Sequence, residues 1–130
     1  MKNNITLTIV SLLTLVLSLI HIIHDIMHGT EPPRAIINMS VIGFVWLSVT
    51  VLLAGRTLGY IVVFLGSLLA AGMPVLHTMN ATTAKWDFGF YLTLLLLGVT
   101  GLFGALLSAI ALWKHFRARR NNAATSRASS

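Results

Sequence analysis

The chain has 130 residues, of which 56% are apolar and 9% are charged, and its mean hydropathy is +0.87. Soluble domains carry about a quarter of their residues as charges, so this composition excludes a soluble globular protein, and equally a disordered chain. Basic residues outnumber acids by nine to three, and the absence of cysteine excludes disulfides, iron–sulfur clusters and thiolate zinc sites.

Four apolar stretches follow one another along the chain, at about residues 5–27, 35–54, 57–79 and 88–113. A membrane-spanning helix needs about 20 apolar residues, because the hydrocarbon layer is about 30 Å thick. Backbone polar groups cannot stay unpaired in lipid, so each stretch is predicted to be a helix. The sequence therefore predicts an all-α domain over residues 1–120, an antiparallel four-helix transmembrane bundle, followed by a disordered polar tail over 121–130.

The basic residues predict how this bundle is oriented. With a cytoplasmic N-terminus, Arg34 and Lys85 lie outside, and the other seven of the nine lie inside: Lys2, Arg56, Lys114, Arg117, Arg119, Arg120 and Arg127. The positive-inside rule then places both termini in the cytoplasm. The positive charge is thereby explained without nucleic-acid binding. We expect a multi-pass protein of the plasma membrane, with the bacterial inner membrane favoured.

Polar residues of the first helix recur at intervals of three or four: Thr14, Ser18, His21, Asp25 and His28. This spacing places them on one side of an α-helix, and His24 borders that side. Ionisable groups within a membrane face the interior of a bundle or a watery cavity, because lipid exposure is costly. We therefore expect this side of the first helix to point inward.

Small residues form lines on two other helices. The third has Gly59, Gly66, Ala70, Met73 and His77, and the fourth has Thr93, Thr100, Gly104, Ser108 and Ala111. Small residues let helix backbones approach closely, so both lines are predicted packing seams. Pro74 removes a backbone donor and is predicted to bend the third helix below His77. Trp46, near the middle of the second helix, is expected to fill space.

Titratable and sulfur-containing side chains gather at the predicted outer end. This end holds the histidines His21, His24, His28 and His77, the acids Asp25, Glu31 and Asp87, and the methionines Met27, Met39, Met73 and Met79. Only one histidine, His115, lies on the predicted cytoplasmic side. The chemistry of the chain is therefore expected at its outer end.

A transition-metal site is the first interpretation of this end, because imidazole is the commonest metal ligand near neutral pH. The candidate ligands are His21, His24, Asp25, His28 and His77. Thioethers nearby favour a soft ion such as Cu(I), whereas imidazole and carboxylate suit Zn²⁺ or Cu²⁺. The sequence leaves open which metal binds, and whether it serves sensing, transport or electron transfer.

A b-type haem is the second interpretation. One of His21, His24 and His28 would pair with His77 as axial ligands on facing helices. The small side of the third helix would leave room for the macrocycle, and Arg34 would contact a propionate. This interpretation depends on a single histidine of the third helix, so the bare ion is preferred.

Two alternatives need no cofactor. In the first, the chain is an accessory subunit whose small-residue seams pack against a partner protein or a second copy, and the histidines lie at headgroup level. In the second, Asp25 and the histidines relay protons or cations. Against this relay, no charged residue occurs in the inner half of any predicted helix.

Other features of the sequence are less informative about function. The basic residues after the fourth helix, Lys114, Arg117, Arg119 and Arg120, are expected to orient the chain and to contact anionic lipid, at about 1 kcal/mol each. The chain contains no phosphate-binding loop, dinucleotide fingerprint or nucleophile elbow. The sequence therefore argues against an enzyme of the soluble type.

Overall fold

A computed structural model describes residues 2–29, 32–80 and 88–128 of the chain. These residues form four α-helices: α1 (Lys2–His28), α2 (Pro33–Leu52), α3 (Thr57–Asn80) and α4 (Phe88–Ala128). Each contains a segment long and apolar enough to cross a membrane: Ile5–Met27, Arg34–Leu52, Thr57–Met79 and Phe88–Ala123. The all-helical prediction is confirmed, and the four apolar helices suggest a multi-pass membrane protein. The placement of the termini stays a prediction.

The helix α4 runs further than the sequence analysis expects. It continues to Ala128, so residues 121–128 are helical where a disordered tail is predicted. No glycine or proline follows Gly104 in the sequence, and alanine and arginine are strong helix formers. At about 1.5 Å per residue, these 41 residues span about 60 Å, roughly twice the hydrocarbon thickness. The side chains of Lys114, Arg117, Arg119 and Arg120 are exposed, and their contact with anionic lipid stays a prediction.

The turn between α2 and α3 fixes these two helices as antiparallel neighbours. It occupies residues 53–56, and Gly55 has a φ of +83°, a left-handed conformation that favours glycine. The amide of Leu53 donates to the carbonyl of Val49, and the amide of Arg56 donates to the carbonyl of Leu53. Because the connection is so short, α2 and α3 must pack side by side.

The helices are arranged in a ring. α1 and α3 each pack against α2 and α4, and α1 and α3 also touch across the diagonal. The C-terminal parts of α1 and α3 meet the first turn of α4 at one end, which we call the histidine end after His21 and His77. At the other end, called the basic end, Tyr60 of α3 faces His115 of α4. The parallel diagonal pair α1 and α3 therefore brings two predicted site helices together.

Polar and small side chains fill much of the bundle interior. Ser11 and Thr14 of α1, Ser67 of α3 and Ser108 of α4 are fully buried. Large apolar side chains of all four helices are exposed around the outside, as a lipid-facing surface requires. The predicted seams are confirmed where Gly59, Gly66 and Ala70 of α3 and Gly104 and Ser108 of α4 are buried. In a membrane, this close packing replaces the hydrophobic effect as the force between helices.

The ring of Trp46 of α2 fills space, as predicted, and its indole N–H also donates a hydrogen bond. Its ring packs against Gly66 of α3, and its indole nitrogen Nε1 donates to the Ser11 hydroxyl at 3.0 Å. The hydroxyls of Ser11 and Thr50 lie 3.1 Å apart. A buried indole N–H normally finds such a partner. This network ties α1 to α2 in the middle of the bundle.

Pro74 lies within an α3 that is helical on both sides of it, from Thr57 to Asn80. It packs towards Gly98 of α4, where an added Cβ would lie 3.0 Å from the Pro74 ring carbon Cγ. The predicted bend of α3 at this proline stays a prediction.

The close approach of α3 and α4 at Gly101 predicts that an alanine there lowers stability much more than an alanine at Gly72 does. A Cβ on Gly101 would lie 2.6 Å from the backbone nitrogen of Ala71 and 2.8 Å from the carbonyl oxygen of Ser67. Because both atoms are backbone, G101A should lower the free energy of unfolding by about 1–3 kcal/mol, the usual cost of overpacking. Thermal unfolding in detergent measures this. The control is G72A, since nothing lies within 4 Å of a Cβ added at Gly72. Equal stability of the two variants would contradict this packing.

Candidate metal centre

Two helices bring three of the predicted ligands together at the histidine end. His21 and Asp25 lie one turn apart on α1, and the His21 Nε2 atom is 3.5 Å from the Asp25 Oδ2 atom. The Nε2 atoms of His21 and His77 are 3.2 Å apart, and the two rings meet edge to face. One ligand atom from each of the three residues lies within 4.8 Å of the others. Helices α1 and α3 therefore meet at this end of the bundle.

The site lies inside the bundle. His21 is 1% exposed and Asp25 is 5% exposed, while His77 is half-buried. This confirms the predicted inward direction of the α1 stripe at Thr14, His21 and Asp25. The His21 Nδ1 atom has no hydrogen-bond partner among the described residues. A buried polar atom without a partner costs about 1–3 kcal/mol, which sets this imidazole apart from an ordinary core residue.

A backbone carbonyl orients the His77 ring. Its Nδ1 atom lies 3.1 Å from the carbonyl oxygen of Met73, one turn earlier on α3. A carbonyl can only accept, so the proton of a neutral His77 ring is on Nδ1, and Nε2 carries a lone pair. That lone pair faces His21. Metal-binding histidines are typically held in this way, with the second ring nitrogen donating to a carbonyl or carboxylate.

The spacing of the donor atoms suits a small metal ion. Two ligands of a tetrahedral ion with bonds of 2.0–2.1 Å lie about 3.3 Å apart. The distances from the His21 Nε2 atom, 3.2 Å to His77 and 3.5 Å to Asp25, match such edges. The third separation, between the Asp25 carboxylate and the His77 ring, is at most 4.8 Å. Two imidazoles and a carboxylate are also a donor set that zinc sites use.

A haem fits this arrangement less well. An iron between two axial imidazoles would hold their ligating nitrogens about 4 Å apart, twice a metal–imidazole bond, with the macrocycle between them. The 3.2 Å separation of the His21 and His77 nitrogens leaves no space for such a ring. Arg34, the predicted partner of a propionate, is exposed in the first turn of α2. The geometry therefore favours the bare ion.

The remaining predicted residues occupy other positions. The His24 ring is half-buried and lies 5.9 Å from the ring of Phe90, outside the cluster of three. His28 ends α1, and its side chain lies outside the described part of the structure, as do Glu31, Lys85 and Asp87. Three of the predicted thioether neighbours, Met27, Met39 and Met79, are exposed, whereas Met73 is partly buried against the core.

Phe90 of α4 is a neighbour of the site that the sequence does not predict. It is 4% exposed, and its ring centroid lies 5.1 Å from that of His21 and 5.7 Å from that of His77. The helical spacing of Phe90 relative to other residues of α4 indicates that its side chain faces inward. Phe90 stands seven residues before the buried Leu97 and eleven before Gly101, so it continues the inward face of α4 to the histidine end.

No protein-family model, curated protein or solved structure matches this chain. The function is therefore inferred from the chemistry of the site.

The contact between His77 and the Met73 carbonyl predicts the tautomer of His77. In the metal-free protein the neutral ring should carry its proton on Nδ1, because the carbonyl accepts there. Imidazole ¹⁵N NMR of histidine-labelled protein distinguishes the two tautomers, and H77A identifies the signals by removing them. A neutral His77 ring with its proton on Nε2 would contradict the described geometry.

Proposed function

We propose that this chain is a small multi-pass membrane protein that binds a divalent transition metal ion between His21, Asp25 and His77. The observation that carries the proposal is the meeting of three ligand atoms from two helices, with two of the three separations close to those of a tetrahedral ion. The predicted orientation places this site near the outer face of the membrane.

The donor set indicates the class of metal. Imidazole nitrogen and carboxylate oxygen suit borderline ions such as Zn²⁺ and Cu²⁺, whereas Cu(I) prefers thiolate and thioether ligands. The chain has no cysteine, and of the four predicted thioether neighbours only Met73 is partly buried, whereas Met27, Met39 and Met79 are exposed. We therefore assign the site to Zn²⁺ or Cu²⁺.

Burial of Asp25 supports the same conclusion. An ionised carboxylate inside a membrane bundle is costly unless a cation or hydrogen-bond donors face it. The described ion-pair partner is His21, at 3.5 Å, and His21 is itself shared with His77. A divalent ion among the three side chains would place positive charge beside this buried carboxyl group.

Metal binding by purified protein tests the proposal. After chelation in detergent and addition of Zn²⁺ or Cu²⁺, the unaltered chain should retain one ion per molecule, because the described residues contain one such cluster. H21A and H77A should retain none, and D25N should bind more weakly, because an amide oxygen carries no charge. Binding should also stabilise the fold, by about 2.7 kcal/mol at a free metal concentration of 100 times Kd. Elemental analysis and thermal unfolding measure the two effects.

The matched control is H115A, which removes the histidine of the basic end and leaves the site intact. It should bind metal like the unaltered chain. The proposal is wrong if the unaltered protein retains no metal, or if H21A and H77A retain as much as H115A.

A ligand-free structural role is the second candidate, and the same short contact favours it. At 3.2 Å, the two Nε2 atoms are also at hydrogen-bond distance, so His21 can donate directly to His77. The pair would then fasten α1 to α3 in an accessory subunit. In that case H21A and H77A should lose about 1–3 kcal/mol of stability without any metal present, and added metal should not stabilise the unaltered chain.

A further inference from the structure

We infer that two copies of this chain form a dimer in the membrane, in which the exposed side of α2 of one copy packs against α2 of the other through a pair of Asn38 side chains. The inference does not depend on the proposed metal site. It concerns a surface of α2 that the metal site does not use.

Asn38 presents an exposed amide within the apolar segment of α2. It lies four residues after Arg34, where that segment begins, and so about 6 Å further along the helix axis at 1.5 Å per residue. Within the described part of the chain, its side chain is exposed and makes no hydrogen bond. An amide has two N–H donors and a carbonyl acceptor, and hydrocarbon offers none of them a partner. A polar partner on another chain would therefore stabilise it.

The exposed hydroxyls of the same helix already have partners. The Ser40 hydroxyl donates to the carbonyl oxygen of Ile36 at 2.9 Å. The Ser48 hydroxyl donates to the carbonyl oxygen of Phe44 at 2.8 Å. Such bonds within one helix let a hydroxyl lie on its outer surface. Among the uncharged polar side chains of α2, Asn38 is thus the one left without a bond to any described residue.

The helix α2 is also the least covered of the four. Only 11% of its apolar segment is buried, against 22% for α1 and 33% for α3 and α4. The side chains of Val41, Val45 and Leu52 are exposed like that of Asn38. They follow Asn38 by three, seven and fourteen residues, which places all four on one side of the helix. This is the spacing of helices that pack side by side, and a single asparagine in such a line fixes the register and the number of helices.

A second copy of the chain fits this surface because the surface is complementary to itself. Copies with the same orientation in a membrane have parallel α2 helices, so the same residue lies at the same depth in each. A two-fold axis along the membrane normal then places Asn38 opposite Asn38. Each amide nitrogen can donate to the carbonyl oxygen of the other amide, and polar bonds of this kind hold transmembrane helices together. Arg34, one turn nearer the end of α2, has a long side chain that can extend into the headgroup region.

Sedimentation of the purified protein in detergent measures the contribution of Asn38. The unaltered chain should be a dimer. N38L keeps a similar size but removes the amide, so it should raise the dimer dissociation constant about tenfold, which is about 1.4 kcal/mol and within the range of hydrogen bonds between transmembrane helices. N38Q retains an amide and should dimerise more tightly than N38L. The matched control is S40A, which removes a hydroxyl already bonded within α2 and should leave the dissociation constant unchanged.

Cysteine crosslinking in membranes tests which surface forms the contact, since the chain has no cysteine of its own. V45C should form a disulfide-linked dimer under mild oxidation, because Val45 lies two helical turns from Asn38 on the same side of α2. V16C is the matched control. Val16 lies in the middle of the apolar segment of α1 and is 54% exposed, against 50% for Val45, yet V16C should remain monomeric on a denaturing gel.

Three results would overturn the inference. The unaltered chain could be a monomer, N38L could dimerise as tightly as S40A, or V45C could crosslink no more than V16C. Crosslinking of V45C to a different protein, without any dimer, would assign the surface to another subunit and would equally overturn it. None of these measurements requires added metal, so they stand apart from the test of the proposed function.

Discussion

Polar side chains in the interior of a bundle of apolar helices need hydrogen-bonding or charged partners, because burial removes them from water. In this chain that constraint acts most strongly on His21 and Asp25, which share one face of α1 and are almost completely buried. Asp25 contacts His21, and His21 in turn contacts His77 of the diagonal helix. The contact therefore fixes the relative positions of α1 and α3 at one end of the bundle, and with them the geometry of the candidate metal site.

Small residues make this diagonal contact feasible. The diagonal helices of a four-helix bundle are usually separated by the side chains between them. Here α3 approaches α4 so closely that a Cβ on Gly101 would overlap the α3 backbone, and Gly66 receives the ring of Trp46. The narrow interior lets two imidazoles on α1 and α3 touch. The same approach brings the first turn of α4, with Phe90, over the imidazoles. Helix packing in the middle of the bundle thus helps to determine which side chains meet at the histidine end.

The sequence predicts the helices well, because lipid restricts a spanning segment to a helix of about 20 residues. It also predicts the inward face of α1, since the interval of three or four residues between polar side chains is a direct readout of helix geometry. The extent of α4 is not predicted, because the polar residues 121–128 look like a solvated tail although they contain strong helix formers. Whether such a segment is helical depends on propensity rather than on apolar pattern.

The candidate site is predicted only in part, for a physical reason. Periodicity tells which residues share a face of one helix, but it says nothing of the rotation and depth of another helix relative to it. His21 and Asp25 follow from the periodicity of α1 alone. The choice of His77 as partner, the exclusion of His24 and the position of Phe90 all depend on how three helices pack. That packing arises from backbone contacts at residues such as Gly101, which a pattern of small residues indicates but does not align.

X-ray absorption at the zinc edge tests the central claim most directly. Protein loaded with one equivalent of Zn²⁺ should show two imidazoles per ion, together with oxygen donors at about 2.0–2.2 Å, as expected for His21, His77 and Asp25. A coordination shell made of oxygen without imidazole would mean that zinc binds elsewhere on the chain, and would contradict the account.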